Sequence, residues 1–466
     1  MAQGMTVLIM AAGEGTRMRS STPKMLHPIC GRAMIAWSVI AAREAGAERV
    51  CVIVSPGREL SEALPDGVET LVQPESDGTG GAIRAALDVV SESPNVVVLP
   101  GDHPLVAKDV IDRLLAAHQE AQAAATVLTT IMDDPGSYGR ILRDEAGDVV
   151  RIIEAKTGAG DATPEQLEIR EVNSSIYAFD GPALAAALGK LTNQNAQGEY
   201  YLGDVLTLIR EAGGRVAAHV EDDPQVNLGV NDRAGLAVVE AAARAGIARR
   251  HMLAGVTIVD PASTWIDAAV EIAADARIEP GSWLRGATSV GPGAQVGPHS
   301  TLIDATVGAG ASILRSHLVD CEVGDSAWVG PFAHLRPGTV VGANAKIGTF
   351  VEVKGSEIGE GAKVPHLSYI GDAEVGAGAN VGAGTITANY DGFRKSRTKI
   401  GQGARISVNT SLVAPVDIGD GAYTGAGAVI REDVPDGALA VSKGEQRNIE
   451  GYAERKAAAQ ESEPEK

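Results

Sequence analysis

The run Ala11-Ala12-Gly13-Glu14-Gly15-Thr16-Arg17, followed by Pro23-Lys24, is the first part of the chain whose residue types could act together on a substrate. Ala11, Ala12 and Gly13 are small enough to let backbone N–H groups approach phosphate oxygens. Arg17 offers a planar guanidinium fork to a pyrophosphate. Lys24 offers a point charge to the α-phosphate of a triphosphate, where charge builds during transfer. The run is not a Walker A loop, because no Lys-Ser/Thr follows its second glycine. Further on, Gln73-Pro74-Glu75-Ser76-Asp77-Gly78-Thr79-Gly80-Gly81 sets an amide able to read a base edge before a helix start. Thr79 is expected to cap that helix, which should run to about Val90. Asp102, in Pro100-Gly101-Asp102, follows an apolar run and is suited to hold Mg²⁺ against a triphosphate.

A second constellation lies far downstream. Arg336 and Lys354 could together hold a sugar phosphate. His366 could take a proton from an amine nucleophile near neutral pH, as acetyl transfer to an amino sugar requires. Glu352 is expected to orient His366 or to stabilise its charged form, with Tyr369 close by in the repeat. The basic stretch Asn389–Lys399 interrupts a regular pattern and reads as a projecting loop, where such folds carry function.

The elements that must position these residues fall into two kinds. Over residues 5–232, apolar runs such as Val7-Leu8-Ile9-Met10, Val50–Val54 and Val96–Leu99 alternate with helical segments, one from Ala33 to Ala45 ending at Gly46. This is the pattern of an open α/β sheet covered by helices. Asp232 is a good N-cap, and Leu236, Val239, Ala243 and Ile247 recur at helical spacing, so residues 233–254 read as one connecting helix. From Val290-Gly291 to Ile418-Gly419, thirteen apolar-Gly pairs follow one another at steps within two residues of a multiple of six. That period fits neither a helix nor a strand. It marks hexapeptide repeats of a left-handed parallel β-helix, in which the apolar residue enters the lumen and small residues make the corners. The expected organisation is therefore residues 1–232 as a Rossmann-like domain, 233–254 as a linker, 255–456 as the β-helix and 457–466 as a disordered tail. Exposed solenoid edges need cover, which predicts a symmetric oligomer with coils packed side by side.

Bulk properties narrow the partners. The chain has 466 residues, too many for one ordinary core. Its net charge of −20 argues against nucleic acid and against an anionic membrane. No apolar run approaches the ~18 residues of a bilayer span, and no signal peptide is read at the start. Cys30, Cys51 and Cys321 lack metal or redox spacing, so reduced thiols in a cytoplasmic protein are expected.

Taken in order, Ala-Ala-Gly-x-Gly-Thr-Arg-Met, Pro-Lys, Gln73 with Gly-Thr-Gly, Gly-Asp, Tyr138-Gly139-Arg140, Glu154, Asn173, Asn195–Tyr201 and Gly229-Val230-Asn231 resemble the sugar-1-phosphate nucleotidyltransferases. With the second half included, the chain resembles the two-activity members that carry a hexapeptide-repeat acetyltransferase. The resemblance implies acetyl transfer from acetyl-CoA to glucosamine 1-phosphate, then uridylyl transfer from UTP to N-acetylglucosamine 1-phosphate, supplying a precursor of cell-envelope polymers. It also implies a homotrimer. It gives Gln73, Gly78 and Thr79 to uracil; Gly139, Glu154 and Asn173 to the sugar; Asp102 and Asn231 to Mg²⁺. It gives His366 the role of general base. Arg336, Lys354, Tyr369, Asn380 and Lys395 go to glucosamine 1-phosphate, and Ala383, Asn389, Tyr390, Ala426 and Lys443 to acetyl-CoA.

The chain departs from the family pattern in places. Glu14 would repel a triphosphate and is expected to point away. Gly81 stands where a His is frequent, and Ser174-Ser175 follows Asn173 in place of Thr-Gly. Val408 replaces a Ser expected near the thioester, leaving Ser407 or Asn409 to substitute. Lys443 stands for an Arg. Val408 favours a competing reading, a uridyltransferase whose β-helix is only a scaffold. Arg17, Lys24, Asp102 and Asn231 together argue against a third, a non-catalytic assembly subunit.

Overall fold

The computed structural model describes residues 4–155, 162–195, 197–442, 444, 446 and 448–461. The chain divides into two compact units. One comprises Met1–Arg250 with Trp265–Ala269; the other comprises His251–Thr264 with Val270–Lys466. The helix Arg233–Leu253 occupies the segment expected to link the domains. Asp232 accepts from the N–H of Gly235 at 2.8 Å and so caps it.

The first unit is built on one twisted sheet. In spatial order its main strands are Val216–Glu221, Ala125–Ile131, Glu171–Asp180, Asn95–Pro100, Met5–Met10, Arg49–Val54 and Glu69–Val72. Val7, Leu8, Ile9, Cys51, Val52, Val97 and Val98 are all fully buried, as strands covered on both faces must be. Most neighbours run parallel; Leu8 lies between Cys51 and Val98. Glu171–Asp180 runs antiparallel to both its neighbours, and the hairpin Arg140–Arg143/Val149–Ile153 branches from it. From Met5–Met10 the chain builds outward to one side of the sheet, then returns to lay Asn95–Pro100 on the other. The loops after these two strands therefore flank the topological switch point, where α/β sheets bind ligands.

The helix expected from Thr79 to about Val90 is two helices, Thr79–Arg84 and Leu87–Glu92. Thr79 does not cap: it is the first helical residue, and its hydroxyl accepts from the N–H of Leu202 at 3.1 Å. The residue before it, Gly78, has φ +106°. A Cβ there would lie 2.5 Å from the carbonyl oxygen of Tyr200, so a side chain is excluded.

The second unit is a left-handed parallel β-helix. Its strands stack into an 11-stranded sheet and a 17-stranded sheet. Ile278, Val296, Ile313, Val329, Ile347 and Val364 occupy successive coils in register and are all buried. The glycine that follows an apolar residue allows the coils to touch. A Cβ on Gly308, Gly324, Gly342 or Gly359 would lie 2.8–2.9 Å from the carbonyl carbon of the next glycine in the column. Left-handed residues mark the corners, and they too fall in columns. Phe332, Phe350, Leu367, Gly384, Asn409 and Gly427 make one edge; Asp320, Gly338, Gly355 and Asp372 make another. Phe332 and Phe350 stack on the first edge with ring centroids 5.3 Å apart.

The tail expected to be disordered is helical as far as Glu461, in a helix starting at Tyr452. Ala, Glu, Lys, Arg and Gln, which compose it, are strong helix formers. Residues 462–466 lie outside the described residues. The three cysteines are free and buried, and burial pushes Cys51 up to about 11 and Cys30 and Cys321 up to about 12, which makes them inert thiols. Among the described residues, no helix is long and apolar enough to cross a membrane.

Candidate active sites

At the switch point, Met10 ends its strand and the chain enters the small-residue loop. The N–H of Ala11 bonds to Ile53 and that of Gly101 to Met10, which ties the loop to both neighbouring strands. Gly15, at φ +64°, leaves room for the aliphatic stem of Lys24, which a Cβ would meet at 2.7 Å. Lys24 is only 8% exposed and its ammonium donates to Asp102 Oδ2 at 2.6 Å. Burial alone would raise the Asp102 carboxyl; His103 and Lys24 outweigh it, and the group sits below the usual carboxylate range. Burial holds the His103 ring below its ordinary value, with Lys24 lowering it further and Asp102 opposing.

The second segment comes from far along the chain. The N–H of Val230 donates to the carbonyl of Asp102 at 3.0 Å, which sets Asn231 beside the loop. Arg17 Nη2 donates to Asn231 Oδ1 at 2.8 Å. A cavity of about 380 Å³ joins Ala12, Gly13, Lys24, Gln73, Gly78, Thr79 and Asp102, so these residues, far apart in sequence, share one space. Ser175 lines it too, at φ +58°. Gly139 and Glu154, which flank the branched hairpin, come together with Asn173 of the strand Glu171–Asp180. The N–H of Asn173 bonds to Gly139 at 2.9 Å, and a Cβ on Gly139 would lie 3.7 Å from the carbonyl of Ile153, next to Glu154. Ala196, part of the family pattern, lies outside the described residues.

Two residues of this site gave no signal in the sequence. Arg58, on the turn after Arg49–Val54, donates to the carbonyl of Glu14 at 2.8 Å and to that of Gly13 at 3.4 Å, bracing the loop from outside. Glu14 lines a side cleft with Ser55 and Arg58, apart from Lys24 and Asp102. Asp77 explains Gly81. A Cβ on Gly81 would lie 1.8 Å from Asp77 Oδ1, so the absent side chain is what admits this carboxylate. Asp77 in turn accepts from Gln73 Nε2 at 2.7 Å.

In the β-helix, the expected residues fall into distinct groups. The carbonyls of Thr349, His366, Ala383 and Val408 each accept from the corner N–H of the following coil, so these residues stack along one edge, with Ala426 next. His366 is exposed on that edge. Val408 is 45% exposed in the same column, and Asn409 packs its side chain over Gly384, where a Cβ would meet Oδ1 at 2.3 Å. Ser407 does not stand at the corner.

The phosphate-binding candidates gather toward the second edge. Arg336 Nη1 donates to Glu352 Oε1 at 2.8 Å. Glu352 therefore pairs with Arg336 and makes no hydrogen bond to His366 within the chain; it lies in register with Tyr369, whereas His366 is in register with Thr349. The expected orienting role is not met, because residues in register lie on one face and His366 is at its corner. Lys354 Nζ bonds to Asp372 at 3.0 Å, and Asn389 Nδ2 donates to the same carboxylate at 2.6 Å. Burial would raise Asp372, but Lys354 and Asn389 hold it down; Asp372 in turn raises Lys354, while Lys354 depresses Lys395. Asp372 is the residue that organises this cluster, and no motif pointed to it. Asn380 stands apart, between Lys363 and Arg405 on the other sheet. The loop expected at Asn389–Lys399 is a small hairpin closed by the Ser396 N–H to Asn389 bond and a Tyr390–Lys395 bridge, and Phe393 at its tip is 93% exposed. Lys443 lies outside the described residues.

Comparison with known proteins separates the chain as the fold does. Residues 7–160 match the MobA-like NTP transferase domain, and residues 320–355 match the bacterial transferase hexapeptide of six repeats. Over nearly its full length the chain is similar to proteins named bifunctional protein GlmU. That of Kineococcus radiotolerans is 51% identical over 452 residues, 96% of this chain and 91% of that protein. That of Mycolicibacterium vanbaalenii is 48% identical over 460 residues, 97% and 93%. That of Mycobacterium tuberculosis is 48% identical over 460 residues, 97% and 92%.

Proposed function

This chain belongs to the bifunctional GlmU family, a transferase with uridyltransferase and acetyltransferase activities that yields UDP-N-acetylglucosamine, and on that premise we propose how its residues divide the work. The uridylyl step rests on the cavity that joins Lys24, Gln73, Thr79 and Asp102. UTP lies along the Ala11–Gly13 loop with Arg17 on its pyrophosphate and Lys24 on the α-phosphate. A phosphate oxygen of N-acetylglucosamine 1-phosphate, held by Gly139, Glu154 and Asn173, attacks the α-phosphorus; the bond to the β-phosphate breaks and pyrophosphate leaves. Charge builds on the leaving oxygens, and Arg17 and Lys24 stabilise it there.

Gln73 selects uracil by elimination. Its Nε2 donates to Asp77 and to the carbonyl of Gly78 at 3.1 Å, both of which only accept. Oε1 is the atom left for a base, and it can accept the ring N–H of uracil, which cytosine lacks.

Asp102 and Asn231 fit a divalent cation. An ionised carboxylate and an amide oxygen are hard oxygen donors of the kind Mg²⁺ takes, with water and phosphate completing its shell. Lys24 uses Oδ2 of Asp102, which leaves Oδ1, 3.9 Å from His103 Nε2. When bound, the cation neutralises triphosphate charge.

For acetyl transfer, Arg336, Lys354 and Lys395 hold the phosphate of glucosamine 1-phosphate, with Tyr369 and Asn380 on the sugar. His366 takes the proton as the amine attacks the thioester, and the CoA thiolate leaves. Ala383, Asn389, Tyr390, Ala426 and Lys443 hold acetyl-CoA. His366 and Lys354 face different edges of one prism, so a second and third copy packed alongside complete the site. The reactions take place in the cytoplasm, and the product is a precursor of cell-envelope polymers.

His366→Ala is the test. CoA release with glucosamine 1-phosphate should fall by at least 100-fold, while pyrophosphate release from UTP and N-acetylglucosamine 1-phosphate keeps its rate. Retained CoA release would remove His366 from the reaction.

A further inference from the structure

One cavity takes no part in either proposed reaction. It lies in the first unit, between the helix Met34–Glu44 and the helix Arg233–Leu253, and is closed by the turns at 104–107 and 223–226. Its volume is about 470 Å³, within the size of small-molecule sites. The gap exists because Ala242, Ala243, Ala245 and Gly246 are too small to fill the space between the helices. One wall is apolar, made by Trp37, Ile40 and Leu105. The other presents cations. Arg249 and Arg250 lie one turn beyond Ala245 and Gly246 on the same helix face, and Arg32 leans over the Trp37 ring with its guanidinium 4.9 Å from the centroid.

Charge is unbalanced here. Arg32, Arg249 and Arg250 line the cavity against Glu44 and Asp223, in a chain with 60 acidic and 40 basic residues. Among the described residues none of the three arginines forms an ion pair. Burial weakens the hold of Arg32 on its proton and Arg250 weakens it further, with Glu44 opposing. Guanidiniums that line one cavity and form no ion pair of their own offer donors to an added anion.

We propose that this cavity is a regulatory site for a small amphipathic anion, an aromatic or branched body carrying one carboxylate, sulfonate or phosphate, and that filling it alters the uridylyl reaction. The second half rests on the roles given above to Asp102 and Asn231. Pro104 follows Asp102 by two residues and Val226 precedes Asn231 by five, and the Val230 N–H to Asp102 bond joins the two segments. A ligand between these turns and the helix bears on both sides of that bond. It changes the rate to the extent that it binds the two arrangements unequally.

Titration calorimetry of the full chain with 2-naphthalenesulfonate tests the site, with UDP-N-acetylglucosamine and Mg²⁺ at saturation to fill the catalytic cavity. Binding should persist. 2-Naphthol, the uncharged analogue, should bind at least 10-fold more weakly, and Arg250→Ala should weaken the sulfonate at least 10-fold. Arg249→Ala, read the same way, covers the case in which Arg250→Ala does not fold. Saturating sulfonate should change pyrophosphate release at least 2-fold and leave CoA release unmoved. Equal affinity in the folded arginine variants, displacement by the nucleotide sugar, or an unaltered pyrophosphate rate each overturns the proposal. Asp102→Asn, assayed without the sulfonate, tests the catalytic reading separately: if it keeps full pyrophosphate release, that reading fails while the binding result stands.

Discussion

A side-chain amide carries a donor and an acceptor that can exchange places by rotation, so a glutamine reads a base only if something fixes which end faces it. Asp77 does so for Gln73, and Gly81 makes room for Asp77. Asp77→Ala should let the amide turn and lower the UTP to CTP ratio of kcat/KM, measured as pyrophosphate release, by about 10-fold, in line with ~1.5 kcal/mol for a hydrogen bond to a charged group. An unchanged ratio would show that Gln73 is oriented by Gly78 alone. Gly81→Ala should cause the same loss by evicting the carboxylate, and should add nothing to Asp77→Ala, because the two act through one contact. Gln73, Gly78 and Asp102 were visible in the sequence because each belongs to a short motif. Asp77, Arg58 and Asp372 were not. Asp77 lies inside a motif without a motif role, and the other two work through bonds to backbone or side chains 17 to 45 residues away.

The corner column is where the proposed acetyl-transfer residues of the β-helix line up. It places Thr349, His366, Ala383, Val408 and Ala426 on successive coils, and Val408 presents an apolar side chain, 45% exposed, in that column. If the thioester lies along this column, Val408→Ser should lower KM for acetyl-CoA about 5-fold, the worth of one added hydrogen bond of ~1 kcal/mol, with CoA release as the readout. An unmoved KM would place the thioester elsewhere. The period of six foretold the coils, since apolar residues had to enter the lumen at that interval. It could not foretell which residues share an edge, because corners are set by backbone angles that non-glycine residues such as Leu367 and Asn409 also adopt. The same limit appears in the first unit. Apolar runs marked the strands, but the break at Ala85–Ala86 between two helices and the antiparallel course of Glu171–Asp180 depend on packing and pairing.

Each unit has its own core, one between sheet and helices and one within the coils. Scanning calorimetry should therefore resolve two transitions. A nucleotide sugar at 100 times its Kd adds about 2.7 kcal/mol to the unit that binds it, so UDP-N-acetylglucosamine with Mg²⁺ should raise one transition by about 5–10 °C and leave the other in place. A single transition, or two that rise together, would contradict this. The stacking of the coils also sets which copying errors the gene can survive. Each coil rests only on its neighbours, so repeating one whole coil would lengthen the prism and keep every later residue on its edge. A single residue gained or lost is taken up at a corner: Val296, Ile313, Val329, Ile347 and Val364 pair in register although the coils between them are 17, 16, 18 and 17 residues long. The hairpin after Asn389 is a larger insertion of the same kind: it leaves the prism at one edge and is sealed at its base by Ser396, and Thr398 still meets the carbonyl of Asp372 at 3.2 Å. Descent with change in this half thus runs through whole coils, through residues at the corners and through loops that close on themselves.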